Sequence, residues 1–252
     1  MAWWHAPGRL AGVIGHLFSG LQTAGRFERL TEAQRHEAIQ AWSRRLLQRM
    51  GLQVRVHGAP VAGAALVVPN HISWLDIAAV HASCPHARFV SKADVLHWPL
   101  LGPLIRASGT LFIERERKRD ALRVVHEVAA ALGRGETVAV FPEGTTGPGD
   151  QVLPFHANLL QAAIAAGGVL QPVLLRYTEP GQAVSRSAQY IGDMTLVGSV
   201  FRLAAATGVA VDVHFLPPIP VRTTDRRALA EQARECIAGF LAEDLARHAR
   251  GG

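Results

Sequence analysis

The residues best suited to chemistry fall in three short runs. The first is Asn70-His71-Ile72-Ser73-Trp74-Leu75-Asp76, directly after the apolar stretch Val67-Val68-Pro69. A strand running into a helix start would place His71 in a turn, with Asp76 in the first helical turn. A carboxylate folded back onto an imidazole fixes its tautomer and stabilises the imidazolium formed when it takes a proton. His71 is therefore a candidate general base and Asp76 its partner. The same residues admit an architectural reading. Ser73-x-x-Asp76 has the form of a capping box, in which Asp76 only satisfies a helix N-terminus and His71 is an ordinary loop residue. Ser73 is a poor nucleophile, because no G-x-S-x-G elbow surrounds it.

The second run is Phe141-Pro142-Glu143-Gly144-Thr145-Thr146, again a strand end followed by a polar turn. Gly144 permits close backbone approach, and Glu143 offers acceptors to a polyol; a plain strand-to-loop turn is the alternative. The third is Gly109-Thr110-Leu111-Phe112-Ile113-Glu114-Arg115, which enters the basic stretch Arg115 to Arg119. The planar fork of arginine suits a phosphate, and Arg115 lies nearest the strand end. Arg117, Lys118 and Arg119 read as a solvated helix face.

These runs need a scaffold. Helices are expected over 8–26 and 32–50, the second with Thr31 as N-cap. Strands are expected over 53–57, 65–68, 88–91, 110–113, 137–141, 169–177 and 210–215. Helices are expected over 74–82, 120–132, 157–166, 195–206 and 226–249, with loops at 144–149 and 217–220. This alternation predicts an α/β fold, a mostly parallel sheet covered by helices on both faces. A two-helix segment, residues 1–50, precedes an α/β domain, residues 51–252. In open sheets of this kind ligands bind beyond the carboxyl ends of strands. All three runs are expected there.

Bulk properties narrow the partners. With 252 residues and 49% apolar content the chain can bury a sizeable core. It carries a formal charge of +6, nearly all of it from arginine, with Lys92 and Lys118 as the only lysines. Such a surface suits an anionic membrane or an acidic carrier protein. No nucleic-acid module is recognisable, and nucleic acid is not an expected partner. Cys84 and Cys236 show neither metal-ligand nor disulfide-framework spacing, so no metal is expected and a reducing, cytosol-facing setting fits. No leader pattern opens the chain. The run Leu10 to Ala24 is too short to span a bilayer and contains His16, Ser19 and Gln22. With Trp3 and Trp4 before it, it reads as a helix lying on or partly in a membrane. Arg9, Arg26, Arg44 and Arg45 would meet anionic headgroups. An ordinary helix packed on the domain is the alternative.

In this order, the runs resemble the motifs of the glycerolipid acyltransferase family, specifically 1-acyl-sn-glycerol-3-phosphate acyltransferases. NHxxxxD matches Asn70-His71 through Asp76. G-x-x-F-I-x-R matches Gly109, Phe112, Ile113 and Arg115, and F-P-E-G-T matches Phe141 to Thr145. A fourth, looser match is Val169-Leu170-Gln171-Pro172-Val173, where Gln171 interrupts an apolar run. The resemblance covers roughly residues 50–220. It implies transfer of a fatty acyl group from acyl-CoA or acyl carrier protein to the hydroxyl of a lysophospholipid, without a cofactor or an acyl-enzyme. His71 and Asp76 would be catalytic. Asn70, Arg115, Glu143, Gly144 and Thr145 would bind substrate, with Arg115 on the acceptor phosphate. The enzyme would work at the cytoplasmic face of the cell membrane as a peripheral or monotopic protein. A lyso-ornithine lipid acceptor is the nearest alternative. A non-enzymatic membrane- or lipid-binding protein, which would need no His71, is the other.

Overall fold

Two helices open the chain, α1 (Ala6–Ala24) and α2 (Glu32–Arg49). The computed structural model describes residues 5–113, 118–222 and 225–251. Trp3, Trp4 and Arg115, singled out above, lie outside the described residues. Thr31 begins α2 as expected, through a reciprocal capping box. Its hydroxyl accepts from the Gln34 N–H at 3.3 Å, and the Gln34 side chain accepts from the Thr31 N–H at 3.0 Å.

Strands and helices then alternate: β1 (Gln53–His57), β2 (Ala65–Pro69), α3 (Asp76–His81), β3 (Arg88–Lys92), α4 (Leu101–Ala107), β4 (Leu111–Ile113) and α5 (Lys118–Gly133). The chain continues with β5 (Val138–Ala139), α6 (Gln161–Ala166), β6 (Val169–Thr178), α7 (Leu196–Ala205), β7 (Ala210–Phe215), β8 (Ile219–Pro220) and α8 (Arg226–Gly251). The strand order is β1-β7-β6-β2-β5-β3-β4, with β8 paired to β6. All pairings are parallel except β6 with β7 and β6 with β8.

The central strand β2 is buried along its whole length, which is why it reads as a continuous apolar run. Its side chains alternate between two cores. Val67 packs with Leu46 and Leu47 of α2, Ala79 of α3 and Leu203 of α7. Leu66 and Val68 pack with Val124 and Val128 of α5, Ala163 of α6 and Leu229 of α8. Helices thus cover both faces, as the sequence predicts. The N-terminal pair shares the first core with the sheet, through Val13, Leu46, Leu47 and Met50.

One element is added and two local expectations change. Helix α4 and the 3-10 turn before it, Ala93–His97, fall between the strands expected at 88–91 and 110–113, where no element is expected. Pro103 sits in the first turn of α4, where the helix makes no use of an N–H. Gly102 is a close-approach glycine, since a Cβ there would run into the Leu96 carbonyl. The expected loop at 217–220 contributes β8, which pairs with Val169 and Leu170. The strand expected over 137–141 is ladder-paired only at Val138–Ala139.

Candidate active site

His71 lies just beyond β2 and Asp76 begins α3, so the six-residue turn 70–75 brings the two side chains together. His71 Nδ1 lies 2.8 Å from Asp76 Oδ2. The same oxygen accepts the backbone N–H groups of Ile72, at 2.6 Å, and Ser73, at 2.9 Å. The other oxygen, Oδ1, accepts the Tyr177 hydroxyl at 2.8 Å. Asp76 is fully buried, and four donors offset the cost of removing its charge from water. No capping box forms at Ser73: α3 begins at Asp76 with Leu75 as N-cap and no side-chain cap, and Asp76 instead serves the turn before the helix. Asp76 ties off the turn through the Ile72 and Ser73 N–H groups and at the same time holds the imidazole.

The turn is pinned on every side. Phe141 lies flat under the imidazole, with ring centroids 4.0 Å apart and planes 15° apart. The His71 carbonyl accepts from Gly147 N at 2.7 Å, and the Ile72 carbonyl from Tyr190 N at 3.0 Å. Glu143 Oε1 accepts the His71 N–H at 2.9 Å and its Oε2 accepts the Leu153 N–H at 3.2 Å. Burial pushes the Glu143 carboxyl up to about 7; the two N–H donors pull it down and the nearby Asp76 charge pushes it further up. Asn70 imitates a strand residue. Its side-chain nitrogen donates to the Leu175 carbonyl at 3.0 Å, and its side-chain oxygen accepts from Leu175 N at 2.7 Å.

His71 opens onto a cavity of about 570 Å³. Gly144, Thr145 and Thr146 line it beside His71, and Lys92 and Asp94 supply charge. Away from His71 the wall is largely apolar: Trp42 and Leu46 of α2, Ile77 of α3, and Leu101, Leu104 and Ile105 of α4. Gly20 of α1 lets the Trp42 indole come close, because a Cβ there would meet it. Asn70, Asp76 and Glu143 stand behind the cavity wall, not in it.

Two other reactive side chains nearby are quiet. Burial pushes the Cys84 thiol up to about 12, so it is no nucleophile. Burial lowers His81 to about 4, and its Nε2 donates to the Ala87 carbonyl at 3.0 Å, so it stays neutral.

The structure thus gathers His71, Asp76, Asn70, Glu143, Gly144 and Thr145 at one strand-end cluster. Arg115 belongs two positions beyond β4, outside the described residues. Tyr177 and Lys92 were missed. Lys92 ends β3 in register with Ile113, beside the strand that leads to Arg115. Its type and its strand-end position were a usable signal. Tyr177 carried only a weak one, a hydroxyl in a strand that also holds Gln171, Arg176 and Thr178.

Residues 53–176 match the acyltransferase family model. The lyso-ornithine lipid O-acyltransferase of Pseudomonas aeruginosa is 38% identical over 196 residues, 78% of this chain and 75% of that one. The 1-acyl-sn-glycerol-3-phosphate acyltransferase of Neisseria gonorrhoeae is 34% identical over 197 residues, 77% of this chain and 76% of that one. The chain belongs to the acyltransferase family. The fold agrees. The crystal structure of the 1-acyl-sn-glycerophosphate acyltransferase from Thermotoga maritima superimposes with a TM-score of 0.67 at 21% identity, covering 90% of this chain and 88% of that one. As an acyltransferase the protein is an enzyme.

Proposed function

We propose that this acyltransferase carries a fatty acyl group from acyl-CoA or acyl carrier protein to the free hydroxyl of 1-acylglycerol-3-phosphate, giving phosphatidic acid. One observation carries the reading. An Asp76-held imidazole opens onto an apolar cavity of about 570 Å³, a size within the roughly 300–1,000 Å³ of small-ligand sites.

With Nδ1 held by Asp76, Nε2 of His71 is the nitrogen that takes the proton of the acceptor hydroxyl. The oxygen then forms its bond to the thioester carbonyl carbon. Collapse of the tetrahedral intermediate breaks the carbon–sulfur bond, and the departing thiolate recovers the proton from His71. A thiol with a pKa of about 8.5 leaves with little acid assistance. The donor's acyl chain occupies the apolar part of the cavity. Lys92, with Arg115, binds the acceptor phosphate, and Gly144 and Thr145 meet the glycerol portion. Asn70 and Glu143 act as positioning residues, because their polar atoms hold backbone around His71.

The acceptor resides in a bilayer, and the enzyme works on the cytoplasmic face as a peripheral or monotopic protein. No helix among the described residues is long and apolar enough to cross a membrane. The outward side of α1 suits docking: Ile14 and Phe18 are each 52% exposed. Arg26 and Arg45 are exposed near it. Arg44 is exposed as well, while Arg9 is half-buried and turned toward α7. Arg9 donates to the carbonyls of Ala204 and Ala206, and Arg44 to that of Ala82.

A second acceptor stands on its own observation, the 38% identity to a lyso-ornithine lipid O-acyltransferase. Purified enzyme offered 1-acylglycerol-3-phosphate and lyso-ornithine lipid, each with acyl-CoA and acyl carrier protein, decides. Phosphatidic acid as the main product supports the first reading; ornithine lipid alone replaces it with the second.

A further inference from the structure

Helix α1 turns a stripe to solvent that carries no charge. Pro7, Ala11, Ile14, Phe18 and Gln22 are all exposed at helical spacing. Two polar groups of the helix, Arg9 and His16, point elsewhere. Arg9 reaches across to the end of α7, and His16 is buried, its Nε2 2.9 Å from the Trp42 carbonyl. Between Arg9 and Arg26 the helix has no Asp, Glu, Lys or Arg.

Helix α7 repeats the pattern. Val197 is 64% exposed and Phe201 49% exposed, four positions apart on one face. Its inner face is fixed by buried Ser199 and Leu203, and Ser199 accepts the Trp74 indole N–H at 3.2 Å. The two helices touch. Leu10 of α1 packs on Ala204 and Ala205, and Arg9 caps the α7 carbonyls. Trp74, held by α7, and Thr23 and Ala24, at the end of α1, line the cavity that contains His71.

Large apolar side chains exposed on two adjoining helices mark an interaction surface. The surroundings favour an anionic bilayer over a protein. Arg26 and Arg29 follow α1 and are exposed, with the exposed Glu28 between them, Arg186 is exposed in the segment before α7, and the chain is basic. Asp193 is the single acidic residue between Gln182 and Ala206. An uncharged centre with a basic rim fits acyl chains beneath anionic headgroups. We infer that α7 is a second membrane-docking helix: Val197 and Phe201 enter the anionic bilayer beside Ile14 and Phe18 of α1. One inserted helix leaves the protein free to roll about that helix axis. Two adjoining helices fix the roll and hold the cavity mouth toward the lipid. The inference rests on the reading that the acceptor is a bilayer lipid.

The test uses the full chain and vesicles of phosphatidylglycerol and phosphatidylethanolamine. Val197→Glu with Phe201→Glu alters two exposed positions, so the fold is retained, as an unchanged melting temperature verifies. Vesicle binding of the double variant is expected to fall about tenfold or more, since two inserted apolar groups are lost. Activity on a vesicle-borne acceptor falls with it, while activity on a short-chain soluble acceptor stays within about twofold. Leu122→Glu, at an exposed site on α5 in the opposite helical layer, leaves vesicle binding unchanged. Wild-type-like vesicle binding by the double variant overturns the inference. So does a dimer of the native chain that the double variant abolishes, which would make this face a self-association surface. If the native chain binds no vesicles yet acylates the soluble acceptor, docking fails and acyl transfer stands. If it binds vesicles through α7 yet acylates nothing, acyl transfer fails and docking stands.

Discussion

The Tyr177 hydroxyl donates to Asp76 Oδ1 at 2.8 Å, on the side of the carboxylate away from His71. Strand β6 therefore supplies a donor to the residue that orients the base, from a position wholly inside the core. Burial, and then the Asp76 charge, raise the Tyr177 phenol well above its ordinary value, so it remains a proton donor to Asp76. Tyr177→Phe keeps the ring and removes the donor. The expected loss of stability is about 1–3 kcal/mol, the cost of one unsatisfied buried acceptor. More negative charge then faces His71 and favours its protonated form, so the acid limb of kcat/KM against pH moves upward. A destabilised variant with an unmoved limb would make Tyr177 a packing residue only.

Glu143 predicts a pH dependence of stability. Its carboxyl titrates near 7 in the folded chain, against 4.5 for the ordinary group. Between those values the folded state holds the proton more tightly than the unfolded chain. The associated stability is present below about pH 4.5 and is lost as pH rises through about 7. The full span is worth roughly 3 kcal/mol as an upper bound. Glu143→Gln cannot ionise. It loses a good acceptor for one of the two N–H groups and is weaker at low pH, yet its deficit against the native chain narrows as pH rises. Urea unfolding at pH 4.5 and 7.5 checks this, and a deficit of constant size would contradict it.

Much of the fold was legible because the strands are either wholly buried runs or bounded by glycine and polar turns. Helix α4 was not, because Pro99, Gly102 and Pro103 look alike as breakers whether a helix begins among them or not. The site was legible where types and spacing are local, at His71 and Asp76. Tyr177 lies 101 residues from Asp76, and no local pattern announces such a contact. The same reason explains Arg9, whose partners lie 195 and 197 residues away. Helix α1 is packed on the domain, as the alternative reading expects, and its membrane role is a proposal that rests on its outer side. Val13, His16 and Gly20 are buried against the domain while Ile14 and Phe18 face outward. Deleting the segment would therefore unroof the cavity, which Gly20, Thr23 and Ala24 line.

The acceptor head group is tested at two cations. Arg115→Ala and Lys92→Ala are each expected to raise KM for a phosphate-bearing lysolipid and to leave the donor KM nearly unchanged. Loss of one charge-assisted contact costs about 1.5–3 kcal/mol, on the order of 10- to 150-fold. Initial rates with the acceptor varied at fixed donor give the answer. Unchanged acceptor KM in both variants would point to an acceptor without phosphate.

Ile14→Glu with Phe18→Glu on α1 should weaken binding to anionic vesicles without loss of the core, because both side chains are half exposed. Native binding should decline only partly in high salt, since apolar insertion resists screening and the arginine contribution does not. Flotation at low and high salt measures both. Complete release of the native chain by salt would mean that the surface contact is electrostatic alone.

The most direct test of proton removal by His71 is single-turnover acyl transfer by His71→Ala. His71 sits in a turn held by backbone hydrogen bonds and by Asp76, so the variant is expected to fold, with circular dichroism and melting as the check. Turnover should fall by about 100-fold or more, the usual scale for losing a general base. A folded His71→Ala protein that acylates its lysolipid at near-native rate would contradict the mechanism.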